Sequence, residues 1–152
     1  MVSFITESSE QTESRATGLA SVIQQGMIIH LQGELGAGKT TFARGFLSGL
    51  GHCGTVKSPT YNIVHSYQTK KYIIHHFDLY RLSDSEELEA MGIRDYFDGA
   101  SICLLEWPQN GKGLLPNPDI LINLRYEGEK RHIEFEPISE AGLKTIDFYK
   151  EI

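Results

Sequence analysis

Lys39 and Thr40 close an eight-residue stretch, Gly33-Glu34-Leu35-Gly36-Ala37-Gly38-Lys39-Thr40, in which glycines flank four free positions ahead of Lys and a hydroxyl residue. This is the spacing of a phosphate-binding P-loop. Glycines let the backbone wrap closely around a phosphate, through angles that larger residues resist. The Lys39 ammonium is placed to reach β- and γ-phosphates, and the Thr40 hydroxyl to ligate Mg²⁺. The plain alternative is a Gly-rich strand-to-helix turn without a ligand. The flanks favour the ligand. Met27-Ile28-Ile29-His30-Leu31 reads as a buried strand. After the loop, Phe42, Phe46, Leu47 and Leu50 recur at helical spacing, with Gly51 as a stop. Strand, loop and helix N-terminus together make an anion site, because converging N–H groups and the helix dipole both favour negative charge.

Carboxylates come from two further strands. Ile102-Cys103-Leu104-Leu105-Glu106 is four apolar residues ending in an acid, the form of a Walker B strand. Such a strand delivers Glu106 to the edge of the sheet where the P-loop opens, to hold Mg²⁺ or orient water; the plain reading is a strand whose acid meets solvent. Trp107 follows, as a core or rim aromatic or as a cover for nucleotide or partner. Ile73-Ile74-His75-His76-Phe77-Asp78 has the same shape, so Asp78 is a second candidate, against a helix cap or a salt bridge to Arg81. His75 and His76 are adjacent and point to opposite strand faces, so they do not ligate one metal together, and the six histidines show no zinc spacing. Lys57-Ser58-Pro59-Thr60-Tyr61 occupies the place of a switch segment, in which Thr60 would meet Mg²⁺ and the γ-phosphate; a turn around Pro59 is the equal alternative.

The remaining elements must hold these groups. A strand over Val2 to Ile5, a helix capped by Ser8 or Ser9 and running to about Gln25, and a hairpin of Tyr61 to Tyr67 with Lys71 to Phe77 are expected. An acidic helix starting at Ser83 to Glu86 and ending near Met91-Gly92, strands over Ile120 to Leu124 and Arg131 to Phe135 turned at Gly128, and a helix from Ser139 to Tyr149 complete the pattern. Together they predict one α/β domain over residues 1–152, a compact P-loop NTPase-like sandwich around a mixed, partly antiparallel sheet. Formal net charge is −6, against an autonomous nucleic-acid binder. No stretch reads as a membrane span or signal peptide, Cys53 and Cys103 form no CxxC pair, and the expected location is cytoplasmic, with no membrane partner.

The set GELGAGKTT (Gly33 to Thr41), KSPTY (Lys57 to Tyr61), HFDLYRL (His76 to Leu82), EELEAMGIRDYF (Glu86 to Phe97) and LLEWP (Leu104 to Pro108) resembles the bacterial TsaE family. The resemblance covers most of the chain, in order. It implies a Mg²⁺-dependent ATPase, weak alone, that serves tRNA N6-threonylcarbamoyladenosine (t6A) formation with a TsaB–TsaD carbamoyltransferase, the tRNA being met through that complex. It further implies ATP and Mg²⁺ as cofactors. Gly33, Gly36, Ala37, Gly38, Lys39, Thr40 and Thr41 would lie at the nucleotide, and Glu106 at Mg²⁺. Asp78 and Trp107 would be needed for function, and Gln11 and Arg131 would also approach the nucleotide. Gln109-Asn110 departs from the Glu-Arg commoner in the family. A small-molecule kinase would need a lid with clustered arginines, and a GTPase-like switch would need NKxD and DxxG segments; neither pattern occurs.

Overall fold

The computed structural model describes residues 1–57 and 62–152. The strands are β1 (Val2–Thr6), β2 (Met27–Gly33), β3 (Val64–Gln68), β4 (Ile73–Asp78), β5 (Ile102–Glu106), β6 (Ile120–Glu127) and β7 (Lys130–Pro137). The helices are α1 (Ser9–Ser21), α2 (Lys39–Gly49), α3 (Glu86–Ala90) and α4 (Glu140–Lys150), with 3-10 turns at Ile93–Tyr96 and Pro108–Gly111. All seven strands join one sheet in the order β1-β7-β6-β2-β5-β4-β3. Its centre, β6-β2-β5-β4, is parallel, and the β1-β7-β6 and β4-β3 flanks are antiparallel. The expected mixed α/β sandwich is the observed one.

Strand alternation builds two cores. Met27, Ile29 and Leu31 face one side of β2 and join Leu19, Phe42, Phe46 and Ile146 of α1, α2 and α4. Ile28, Cys103, Leu105 and Phe77 face the other, under Leu88 and Ile93. Cys103 is a core residue whose thiol burial pushes up to about 12. The helices α1 and α2 lie flank to flank with almost no spacer. A β-carbon on Gly45 would stand 2.5 Å from the Glu13 carbonyl oxygen, and Thr17 Oγ1 donates to the Gly45 carbonyl at 3.0 Å. Among the described residues no helix is long and apolar enough to cross a membrane.

Several boundaries moved. The helix α1 is capped by Ser8, which accepts from the Gln11 amide, and stops at Ser21 rather than near Gln25. The Val22 amide turns back to Leu19 and Ala20 carbonyls, so Ile23 reaches the core from a tight turn instead of a helix. The strand β2 runs on through Gly33, and α2 begins inside the motif at Lys39. The acidic helix begins only at Glu86, and it ends where expected, at Ala90 before Met91 and Gly92, whose φ of 73° opens a 3-10 turn. Both strands of the β6–β7 hairpin extend beyond the expected bounds, to the turn at Gly128.

Candidate functional site

The P-loop leaves β2 under tight steric control. Gly33 is the register partner of Leu124 on β6, and a β-carbon there would collide with the Leu124 carbonyl oxygen. Gly36 has φ 81°, and a β-carbon on it would stand 2.6 Å from the Tyr126 hydroxyl. That hydroxyl donates to the Leu35 carbonyl at 2.9 Å, bracing the loop's exposed tip. Gly38, at φ 109°, is the N-cap of α2, which starts without a capping side chain. Among the described residues no side chain caps the first-turn amides, which leaves them to an external acceptor.

Lys39 is buried, and its Nζ donates to the Gly33 and Glu34 carbonyls at 2.6 and 3.0 Å. The ammonium lies 4.4 Å from the centroid of the Trp107 ring. Burial pushes Lys39 below the usual lysine range, opposed by the nearby Glu106 and Asp78 carboxylates. Those acids come from neighbouring strands: β4 pairs with β5 in parallel, and Asp78 is the register partner of Glu106. Glu106 is buried, and its Oε2 lies 2.6 Å from His76 Nε2. Asp78 Oδ1 accepts from the Tyr80 amide at 3.1 Å. Trp107 takes left-handed angles, φ 56° and ψ 50°, alone among the described non-glycine residues. Its ring packs on Tyr80 with centroids 5.0 Å apart.

Two adjoining clefts result. The first, about 180 Å³, runs over Gly36, Ala37, Gly38 and Thr41, between Thr6–Thr12 and the Glu129–Arg131 side of the β6–β7 hairpin. The second, about 240 Å³, is lined by Leu35, Gly36, Gly38, Lys39, Thr40, Thr41, Asp78, Tyr80, Glu106 and Trp107. A cation–amide loop beside a hydroxyl and two carboxylates suits a polyphosphate with a hard divalent cation. Oxygen donors of this kind fit Mg²⁺, which keeps most of its shell for water and phosphate. Among the described residues no three His, Cys, Asp or Glu side chains group as a metal site.

The sequence-derived candidates therefore converge, with exceptions. Arg131 lines the first cleft, its guanidinium stacked 4.2 Å from the Tyr126 ring centroid. From α1 the cleft is lined by Ser9 and Thr12; Gln11 is exposed, and its Oε1 accepts from the Glu7 amide at 2.8 Å. Thr60 lies outside the described residues. Sequence reasoning missed Tyr80, Tyr126 and the partner of Glu106. His76 could have been found, since it sits two residues before Asp78 and so shares its face; Tyr126 carries no comparable signal. At the Gln109-Asn110 pair, the Asn110 carboxamide donates to the Leu79 carbonyl at 2.9 Å, tying the turn after Trp107 to the loop after Asp78.

A family model described as "Threonylcarbamoyl adenosine biosynthesis protein TsaE" matches residues 6–133. A tRNA threonylcarbamoyladenosine biosynthesis protein TsaE of Haemophilus influenzae is 51% identical over 126 residues, 83% of this chain and 80% of that protein. One of Bacillus subtilis is 37% identical over 130 residues, 85% of this chain and 81% of that protein. The crystal structure of Bacillus subtilis YdiB superposes with a TM-score of 0.85 at 28% identity, over 99% of this chain and 94% of that one.

Proposed function

The chain belongs to the TsaE family, and from that premise we propose that it is a Mg²⁺-dependent ATP hydrolase of tRNA t6A biosynthesis, working in the cytoplasm with a TsaB–TsaD heterodimer. The observation that carries this reading is one cleft in which the Lys39 ammonium at the loop faces Thr40, Asp78 and Glu106. ATP is the substrate. The loop amides from Gly36 to Thr41 hold its phosphates, and Lys39 turns from the Gly33 and Glu34 carbonyls to the β- and γ-phosphates. The adenosine end extends toward the cleft bounded by Thr12 and Arg131, with Gln11 at its margin.

Thr40 and Glu106 would hold Mg²⁺, which neutralises developing charge on the transferred phosphoryl group. Asp78 orients water for attack, and Trp107 with Tyr80 shields the phosphate end from bulk solvent. A net charge of −6 fits a subunit that leaves the tRNA to its partners. Trp107, Tyr80 and the exposed Leu35 rim the mouth of the cleft, where a partner can sense the nucleotide.

Multiple-turnover t6A formation from purified TsaB–TsaD, tRNA and this protein tests the reading. Turnover is expected to require the protein and ATP, and to fail with Lys39→Ala. With Trp107→Ala, ATP binding should persist while stimulation by the heterodimer falls. Full turnover without the protein would overturn the assignment.

A further inference from the structure

His76 stands where a core aliphatic would serve the sheet better. It lies mid-strand in β4, fully buried, on the face that carries Ile74 into the main core. Its Nε2 is 2.6 Å from Glu106 Oε2, while its Nδ1 is buried with no partner among the described residues. A buried imidazole with one nitrogen unused costs stability, so its retained bond calls for a reason beyond packing.

We propose that His76 is the positioning residue of Glu106, locking one carboxylate oxygen so that the other faces the metal and water side of the cleft. The proposal rests on the reading of that cleft as a Mg²⁺–ATP site. The proton belongs on Nε2, where the carboxylate accepts it, because an N–H at Nδ1 would be an orphaned buried donor. Lys39 already directs two donors at loop carbonyls. Among the described residues, the hydrogen bond that reaches the Glu106 side chain thus comes from His76. Glutamate has three side-chain torsions, and a carboxylate free to swing would have to be ordered each time metal binds. Held at Oε2, it is ordered beforehand, as hydrogen-bonded carboxylate ligands generally are. The parallel register enforces the pairing: His76 sits opposite Leu104, two residues before Glu106, so the imidazole needs only to lean along the strand.

Two variants separate position from packing. In His76→Gln the amide nitrogen reaches the place of Nε2; in His76→Asn the amide falls one bond short. Calorimetry of ADP binding with and without Mg²⁺, thermal melting, and kcat and KM for ATP are read for each. His76→Asn is expected to weaken Mg²⁺ enhancement of ADP affinity about tenfold and to lower kcat about 10- to 100-fold. Metal-free ADP affinity should stay put, KM for ATP should rise with the lost Mg²⁺ enhancement, and His76→Gln should recover most of these losses. Equal behaviour of the two variants, or parallel losses of melting temperature and metal-free affinity, would overturn the proposal. If His76→Asn does not fold, the imidazole ¹⁵N spectrum decides. Protonation at Nε2 with a shift that moves in Glu106→Gln supports the bond, and protonation at Nδ1 rejects it. Wild-type protein that binds no ATP with Mg²⁺ would instead sink the site assignment itself, whereas wild-type binding with indifferent variants sinks only His76.

Discussion

Asp78 and Glu106 are register partners on adjacent parallel strands, and their carboxylates leave the sheet at the same end and on the same face, toward Lys39. Their environments differ. Glu106 is buried and hydrogen-bonded to His76, whereas Asp78 is half-buried beside the Tyr80 amide. Glu106→Gln and Asp78→Asn should each reduce ATP hydrolysis about a hundredfold or more, since a positioned catalytic group is lost. Nucleotide binding should survive, because the loop amides and Lys39 remain. Phosphate release against calorimetric affinity checks both, and normal turnover in the two variants would remove both acids from the mechanism.

The protein has a single tryptophan, and its ring lies against the Lys39 ammonium. Drawing the ammonium to a phosphate takes a cation off that ring, so ATP should change Trp107 emission in a saturable way. Lys39→Ala should alter the emission of the free protein and weaken ATP binding at least about a hundredfold, the scale of a lost charge-assisted contact in a partly buried site. An unchanged spectrum at saturating ATP would mean that Lys39 stays on its carbonyls.

The order of elements and the glycine-rich loop between β2 and α2 were legible in the sequence because each rests on a local signal. Strand runs ending in Asp78 and Glu106, Ser139 as a helix cap and Gly128 as a turn are all short-range. What escaped depends on contacts across the fold. The end of α1 is decided by where Ile23 meets the core, not by its periodicity. The length of the β6–β7 hairpin is decided by pairing from Ile120–Pro137 through Glu127–Lys130. The His76–Glu106 bond was hidden because the two residues lie thirty apart and meet only when β4 pairs with β5.

Gly45→Ala sets two effects against each other. Alanine in a helix interior is worth about 1 kcal/mol over glycine. At Gly45, however, the new methyl would meet the Glu13 backbone at 2.5 Å, and backbone cannot swing aside. Overpacking of about 1–3 kcal/mol should win, and urea unfolding should show a net loss of about 1 kcal/mol. A gain in stability would show that α1 and α2 can separate at no cost.

His30 supplies a pH dependence of stability. Burial pushes its imidazole from 6.5 down to about 4, opposed by the Pro116 carbonyl. Below pH 6.5 the unfolded chain takes up a proton that the folded protein refuses, so stability falls as pH drops from 6.5 toward 4. Between pH 7 and 5 the loss from this group is about 2 kcal/mol. The fall in unfolding free energy between the two pH values, from denaturant titrations, should be larger in wild type than in His30→Gln by that amount, and equal falls would reject the shift.

The brace from Tyr126 to the Leu35 carbonyl bears on how portable the phosphate loop is. The hydroxyl comes from β6, more than ninety residues later in the chain, and Arg131 from β7 stacks on the same ring. The motif is therefore not a self-contained cassette. Transplanted with only its own strand and helix, Gly33–Thr40 would keep its letters and lose the strut that shapes its tip. Conversely, a change in the β6–β7 hairpin can detune the loop without touching it, so damage mapped to this late hairpin should be read first as damage to the loop.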